Sequence, residues 1–170
     1  MSDVVIFPKS GKQLYTPEQR AKRDNTVWTV VQGVLAPLQF VVFLISSVLI
    51  ANYILTGSGY EIAALSIVVK TGVLCTIMVT GAIWEKEVFG QYLFADSFFW
   101  EDVVSFLVIA LHLFYVIVFL GGFLSHDAQI LVAIVAYATY VINAGQFLLK
   151  LRAARLSSDG SPFVDNGATT

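Results

Sequence analysis

Four long apolar runs, separated by short polar stretches, dominate the hydrophobic pattern of the chain. No Asp, Glu, Lys or Arg occurs between Asp24 and Glu61, and the second run is interrupted by a single charge, Lys70. A helix needs about 20 residues to cross a hydrocarbon core of about 30 Å, and each run is long enough. The pattern therefore predicts four membrane spans, at about 30–55, 62–83, 103–124 and 128–149.

Continuous apolar runs of this length indicate helices, because closed barrels show weaker alternating segments of about ten residues. The short connections 56–61 and 125–127 make sequential helices antiparallel. The predicted fold is an all-α integral membrane bundle of four transmembrane helices. We divide the chain into an N-terminal segment with a helix start (1–26), a transmembrane domain (27–150) and a tail (151–170) that is disordered at its end.

The basic residues outside the predicted spans predict the orientation. Both tails and the second loop carry them, whereas the first and third loops have none. Since cytoplasmic loops are enriched in Lys and Arg, both termini are expected on the cytoplasmic side. The nine residues are Lys9, Lys12, Arg20, Lys22, Arg23, Lys86, Lys150, Arg152 and Arg155.

A helix is predicted to begin before the first span. Thr16, followed by Pro17 and then Gln19, has the pattern of a capping box with proline at the first helical position. This helix is expected to run on towards Pro37, which cannot donate a backbone hydrogen bond and should kink the span. The tail after Leu156 is rich in Ser, Asp and Gly and is predicted to be disordered.

The composition excludes several classes of protein. Hydrophobic residues make up 57% of the 170 residues and charged residues 13%, which is too apolar for a soluble domain of this size. The single cysteine, Cys75, cannot form an intramolecular disulfide. With a net charge of −2 and no basic stretch interleaved with aromatics, nucleic acid is not an expected partner.

Polar residues inside the spans recur at helical spacings. The first span carries one every seven residues, the third carries them at spacings of four and seven, and the fourth at three and four. Such stripes either bond neighbouring helices or line a functional site, and both readings remain open. Most of them fall in the cytoplasmic half of the bundle. The residues are Asn25, Gln32, Gln39 and Ser46, then Glu101, Ser105 and His112, then Asn143, Gln146 and Lys150.

Three carboxyl groups lie at the predicted cytoplasmic mouth: Glu85, Glu101 and Asp102. A carboxyl group drawn into apolar surroundings has its charged form disfavoured, so it can deliver a proton near neutral pH. The alternative is that these groups sit in water at the helix ends, where Glu101 and Asp102 favour the N-terminus of the third span.

His112 and Lys70 are the unusual residues near mid-membrane. His112 is a hydrogen-bonded packing residue, a proton relay or an axial ligand to a metal already held by a tetrapyrrole, since one histidine cannot build a free metal site. Lys70 either snorkels to the outer face or pairs inside the bundle. The aromatics of the second loop, including Trp84 and Trp100, form either a membrane belt or a platform for a flat ligand.

Four segments of the sequence resemble a known family, the 3-vinyl bacteriochlorophyllide hydratases, also called chlorophyllide 3-vinyl hydratases. The resemblance covers about 14–156, which includes all four spans. The segments are LYTPEQRAKRDNTVWTVVQGVLAPLQF at 14–40, IVVKTGVLCTIMVTGAIWEKEVFGQYLF at 67–94, FFWEDVVS at 98–105 and YVINAGQFLLKLRAARL at 140–156.

The resemblance implies a lyase of bacteriochlorophyll synthesis in phototrophic bacteria. Such an enzyme adds water across the ring A vinyl group of chlorophyllide a or 3-vinyl bacteriochlorophyllide and gives a 3-(1-hydroxyethyl) group. It implies no cofactor beyond the magnesium of the substrate. The implied partners are the pigment, the lipid bilayer and other enzymes of the pathway. The implied location is the bacterial cytoplasmic (inner) membrane or its intracytoplasmic photosynthetic extensions.

Depth and spacing, rather than the resemblance, assign hypothetical roles to residues. Glu101 or Asp102 delivers the proton, with Glu85 as the other candidate across the loop. Asn143 or Gln146 holds the water. The pigment is bordered by aromatic rings, and His112 ligates its magnesium or orients the macrocycle. The predicted substrate-binding residues are Gln39, Trp84, Trp100, His112, Asn143 and Gln146.

A rival hypothesis is a non-enzymatic pigment-binding or photosynthetic assembly protein, in which His112 holds a chlorophyll without turnover. A small transporter is disfavoured, because the spans show no inverted repeat and no symmetric breaks at Gly or Pro.

Overall fold

The computed structural model describes residues 14–159, and the side chains of 14–153. This part of the chain is all-helical outside its turns. Its helices are α1 (Pro17–Asn25), α2 (Val27–Thr56), α3 (Tyr60–Phe89), α4 (Phe99–Gly121) and α5 (His126–Asp159).

Helices α2 to α5 are each long and apolar enough to cross a membrane, with mean hydropathies of 1.6 to 2.8 in their most apolar stretches. The predicted helical fold with four spans is confirmed at this level. The helices extend beyond most of the predicted span bounds: α3 continues to Phe89, and α4 begins at Phe99. Helix α4 ends at Gly121 rather than at 124, because Gly122 adopts a left-handed conformation with φ of +62°.

The predicted capping box is present at the start of α1. The Thr16 hydroxyl accepts a hydrogen bond from the Gln19 amide, and the Gln19 side chain accepts one from the Thr16 amide. The expectation that this helix runs on towards Pro37 is wrong. Thr26 is extended, ends α1 and starts α2, and its side-chain oxygen accepts a hydrogen bond from the Trp28 amide.

Pro37 lies within the continuous helix α2, and the kink predicted there stays a prediction. At the other end, α5 continues through Leu156 to Asp159, so the first residues of the predicted disordered tail are helical. The rest of that tail, 160–170, lies outside the described residues.

The spans pack as two hairpins, α2 with α3 and α4 with α5. In the first hairpin, Gly57 and Gly59 both adopt positive φ and reverse the chain within a few residues. Polar side chains join its two helices at two depths. The Gln32 amide donates to the Thr80 hydroxyl at 2.8 Å, and the Ser46 and Ser66 hydroxyls lie 2.7 Å apart.

Side-chain contacts tie the two hairpins together at the end that carries their tight turns and at mid-height. At the turn end, the Tyr53 hydroxyl donates to Asp127 at 2.8 Å, and the Tyr60 hydroxyl donates to Gln129 at 2.5 Å. Deeper in the bundle, the Tyr137 hydroxyl lies 2.6 Å from Oγ of Ser46. A buried apolar cluster fills the space between these ties: Ile50, Ala63, Ile67, Tyr115, Ile130, Ala133 and Tyr137.

Lys70 and His112 form a tie between α3 and α4 at mid-height, and both are fully buried. Nζ of Lys70 lies 2.8 Å from Nε2 of His112, whose Nδ1 donates to the Val108 carbonyl at 2.7 Å. The Lys70 amine also lies 3.8 Å from the ring centre of Tyr140. Of the two alternatives for Lys70, the structure therefore has pairing inside the bundle rather than snorkelling to the surface.

The Ser46 tie predicts a difference between two adjacent serines. Ser46→Ala removes the contacts with Ser66 and Tyr137 and should destabilise the bundle by about 1–2 kcal/mol, since the Tyr137 hydroxyl is left buried without a partner. The control, Ser47→Ala, should cost less than about 0.5 kcal/mol, because the Ser47 hydroxyl bonds only to the Phe43 carbonyl of its own helix. Thermal unfolding in detergent measures both, and equal losses would contradict the interhelical role.

The Lys70–His112 pair predicts a coupled loss of stability. His112→Leu leaves a buried amine without its hydrogen-bond partner and should lower stability by about 1–3 kcal/mol. Adding Lys70→Met removes the stranded amine, so the double variant should be more stable than the single one. Melting temperatures of the three proteins in the same detergent test this. A double variant that melts below His112→Leu would contradict the pairing.

Candidate active site

The α3–α4 connection folds back over the ends of the two helices that it joins. Gly90 ends α3 with a φ of +87°, and the following segment buries Ala95 and Phe98. Two amides of this segment point at carboxyl groups. The Phe94 amide donates to Oδ2 of Asp102 at 2.7 Å, and the Ala95 amide donates to Oε2 of Glu85 at 3.4 Å.

Glu85 and Asp102 contact each other through their carboxyl groups, and both are buried. Glu85 comes from the last turns of α3 and Asp102 from the first turn of α4, so the pair lies on the boundary between the two hairpins. Since two adjacent buried carboxylates repel each other, the arrangement favours one proton shared by the pair. We call Glu85 and Asp102 the carboxyl pair.

Glu101 lies on the other side of α4, towards α5. Its carboxylate forms an ion pair with Lys150, and its backbone carbonyl accepts a hydrogen bond from the Asn143 amide at 3.0 Å. The Ser105 hydroxyl lies 2.8 Å from the same carbonyl and 3.1 Å from Oδ1 of Asn143. The predicted stripes on the third and fourth spans therefore do meet, and they meet in hydrogen bonds between helices.

Two of the predicted polar residues have side-chain atoms without a hydrogen-bond partner among the described residues. They are both amide atoms of Gln39, which is 2% exposed, and Oε1 of Gln146. Burying an amide that has no hydrogen-bond partner is unfavourable. Mutational data on proteins give a free-energy cost of roughly 1–3 kcal/mol, and transfer from water to an apolar solvent gives a larger one. These amides are therefore able to hold water or a polar group of a ligand.

The structure does not bring the two tryptophans together. Trp84 is half-buried, its indole N–H donates to the Thr29 hydroxyl at 2.9 Å, and its ring packs edge-on against Phe89 and Phe98. Trp100 is 70% exposed on the outer surface of α4. Trp84 therefore takes part in the packing that joins α2 to α3, while Trp100 faces away from it.

His112 lies deeper than the carboxyl pair. Both of its ring nitrogens already have partners, so ligation of the pigment magnesium by Nε2 would require Lys70 to move away. That role stays a prediction. Within residues 14–153, no three His, Cys, Asp or Glu side chains gather as a metal-ligand set.

The sequence did not reveal the two backbone amides that hold the carboxyl pair, or the pairing of Lys70 with His112. The amides of Phe94 and Ala95 depend on the path of the connection, for which a sequence gives no distance. One signal was available: acidic residues flank the connection on both sides, at Glu85 and at Asp102.

Comparison with known proteins places the chain in a family. Residues 15–153 match the family model of 2-vinyl bacteriochlorophyllide hydratase. A 2-vinyl bacteriochlorophyllide hydratase of Rhodobacter capsulatus is 61% identical over 149 residues, which cover 88% of this chain and 86% of the relative. One of Cereibacter sphaeroides is 62% identical over 150 residues, covering 88% and 93%. No solved structure matches. The chain belongs to the 2-vinyl bacteriochlorophyllide hydratase family.

Proposed function

We propose that this protein adds water to the vinyl group of a bacteriochlorophyllide-type pigment in bacteriochlorophyll synthesis. The observation that carries the proposal is the family match over nearly the whole described chain, with relatives that are named for this reaction. Their names give the vinyl group the number 2, whereas the family name used in the sequence analysis gives it the number 3. Both name the same type of group on the same type of pigment.

The reaction needs one acid and one water molecule. Protonation of the terminal vinyl carbon leaves positive charge on the carbon attached to the macrocycle, where conjugation delocalises it. Water attacks that carbon and gives a 1-hydroxyethyl group. The attacking water then loses a proton, which returns to the carboxylate that donated the first one. The proton balance closes without a cofactor beyond the magnesium of the substrate.

Within the carboxyl pair, we assign the acid to Glu85 and the carboxylate to Asp102. A hydrogen bond to a carboxylate favours its charged form. Asp102 accepts the 2.7 Å bond from the Phe94 amide, whereas the bond from the Ala95 amide to Glu85 is 3.4 Å. The better-stabilised negative charge is therefore on Asp102, and the shared proton is on Glu85, which can donate it to the vinyl group.

Glu101 is the weaker candidate for the acid. Its carboxylate already accepts a hydrogen bond from the Lys150 amine in an ion pair, so it is engaged within the bundle. We assign Glu101 a positioning role: it holds the ammonium group of Lys150 at the mouth of the bundle and ties α4 to α5.

The attacking water is best held by Gln146. The Asn143 amide already donates to the Glu101 carbonyl, and its oxygen lies beside Ser105. Gln146 and Gln39 have side-chain atoms without partners, and Gln146 lies one helical turn from Lys150 on α5. A bound water would satisfy such an atom and be oriented by it.

We further propose that both termini are cytoplasmic, in the inner membrane or its intracytoplasmic photosynthetic extensions. The distribution of basic residues supports this orientation, since α1 carries three of them and the last turn of α3 carries Lys86. The carboxyl pair then opens to the inner leaflet. An amphipathic pigment with a carboxylate at the membrane surface can reach it from the lipid, and other enzymes of the pathway can receive the product there.

The acid assignment predicts that Glu85→Gln loses activity by about 10²–10⁴-fold while pigment still binds, because glutamine has no proton to transfer. The matched control is Glu87→Gln, since Glu87 is exposed two residues away on the same helix. Membranes containing each protein are supplied with vinyl bacteriochlorophyllide, and product heavier by one water is measured. Full activity of Glu85→Gln would remove it from the acid role, and binding without turnover by the unaltered protein would favour the pigment-binding rival.

The orientation predicts opposite labelling of two loops. In a Cys75→Ser background, Ser58→Cys in the outer loop should react with a membrane-impermeant maleimide added to spheroplasts. Glu87→Cys should react only after permeabilisation, since it lies at the cytoplasmic end of α3. The parent Cys75→Ser protein is the control for background labelling. The reverse pattern would contradict the proposed orientation.

A further inference from the structure

The α3–α4 connection contains a residue with a strained backbone next to the carboxyl pair. Phe94 has a φ of +59° and is the one non-glycine residue with positive φ among those described. Such a conformation is unfavourable for a bulky residue and persists only where its surroundings hold it. Two contacts hold Phe94: its amide donates to Asp102, and its ring stacks on Phe106.

The ring of Phe94, from the α3–α4 connection, packs on two exposed aromatic rings of α4. Its centroid lies 5.4 Å from that of Phe106, with the planes only 10° apart, and 5.7 Å from that of Phe99. The three rings are 39–44% exposed, unlike Phe98 on the opposite side, which is buried. We call Phe94, Phe99 and Phe106 the aromatic platform.

The spacing along α4 places the platform beside the chemistry. Asp102 lies three residues after Phe99 and four before Phe106, so the three residues share one side of the helix. Phe94 contacts both rings and bonds Asp102 through its own amide. A flat molecule stacked on the platform is therefore held next to the carboxyl pair.

We propose that the aromatic platform is the docking face for the pigment macrocycle, which stacks on it from the inner leaflet with its vinyl group directed towards Glu85 and Asp102. This rests on the proposed function. It moves pigment binding from the predicted Trp84 and His112 to the outward side of α4. The nearly parallel rings of Phe94 and Phe106 present the flat apolar surface that offset stacking of a macrocycle requires.

The chemistry of the platform favours a pigment over a general membrane belt. Belt residues are mainly Trp and Tyr, whose polar ends reach the headgroups. The platform consists of phenylalanines, and one of them is held in a strained conformation by a hydrogen bond to a buried carboxyl group. A belt needs neither the strain nor that bond.

Leucine substitutions test the platform, because leucine keeps an apolar surface and removes the flat ring. Pigment binding is measured by absorption titration in detergent in a Glu85→Gln background, where no turnover intervenes, and KM and kcat are measured in the parent. Phe106→Leu should raise the pigment Kd and KM about three- to tenfold with little change in kcat. Phe94→Leu should raise KM and also lower kcat, since loss of the stacked ring frees the strained backbone whose amide holds Asp102. Phe106→Trp should restore binding.

The control is Phe114→Leu, which alters an exposed phenylalanine farther along α4 and should change neither constant. If the protein hydrates pigment but Phe106→Leu and Phe114→Leu have equal Kd and KM, the platform does not bind the pigment, and the hydratase function is unaffected.

If Phe106→Leu binds pigment more weakly but the unaltered protein never hydrates it, the platform binds the pigment and the proposed function is wrong. If the unaltered protein forms an oligomer on size exclusion that Phe106→Leu dissociates, and pigment binding is unchanged, the surface is an interface with a second copy of the chain and the pigment platform is wrong.

Discussion

Polar side chains inside a membrane bundle cannot form hydrogen bonds with bulk water, so each needs a hydrogen-bond partner on a helix or on a ligand. That constraint organises this structure. Ser46 bonds across three helices, Lys70 is held by His112, and Glu101 is held by Lys150. The contacts fix the depth and rotation of the two hairpins relative to each other, and this alignment decides which side chains meet where α3 ends and α4 begins.

The carboxyl pair is a consequence of that alignment. Glu85 ends one hairpin and Asp102 begins the other, so their contact exists only while the hairpins keep their register. The connection between them contributes two backbone hydrogen bonds of unequal length, 2.7 Å to Asp102 and 3.4 Å to Glu85, and the proposed assignment of acid and carboxylate rests on that difference. In the proposed hydration a single carboxyl group gives a proton and takes one back within a cycle, so that group must be protonated before the substrate reacts.

Much of this could be predicted from the sequence, for reasons that particular residues illustrate. The spans follow from uninterrupted apolar length, and the start at Pro17 follows from a local capping pattern. The break at Thr26 could not be predicted, because threonine serves inside a helix or as its cap. Glu85, Glu101 and Asp102 were predicted as candidates from depth alone. Which two of them meet depends on the strained path of the connection at Phe94, and a sequence carries no such distance.

The proposed chemistry requires one proton on Glu85, within a pair whose other member is ionised. Infrared spectroscopy of the protein in nanodiscs at neutral pH measures this directly through the carbonyl stretch of a protonated carboxyl group. If Glu85 carries the proton, the spectrum contains a band that Glu85→Gln removes and that Glu101→Gln leaves in place. A band that disappears in Glu101→Gln and persists in Glu85→Gln would contradict it.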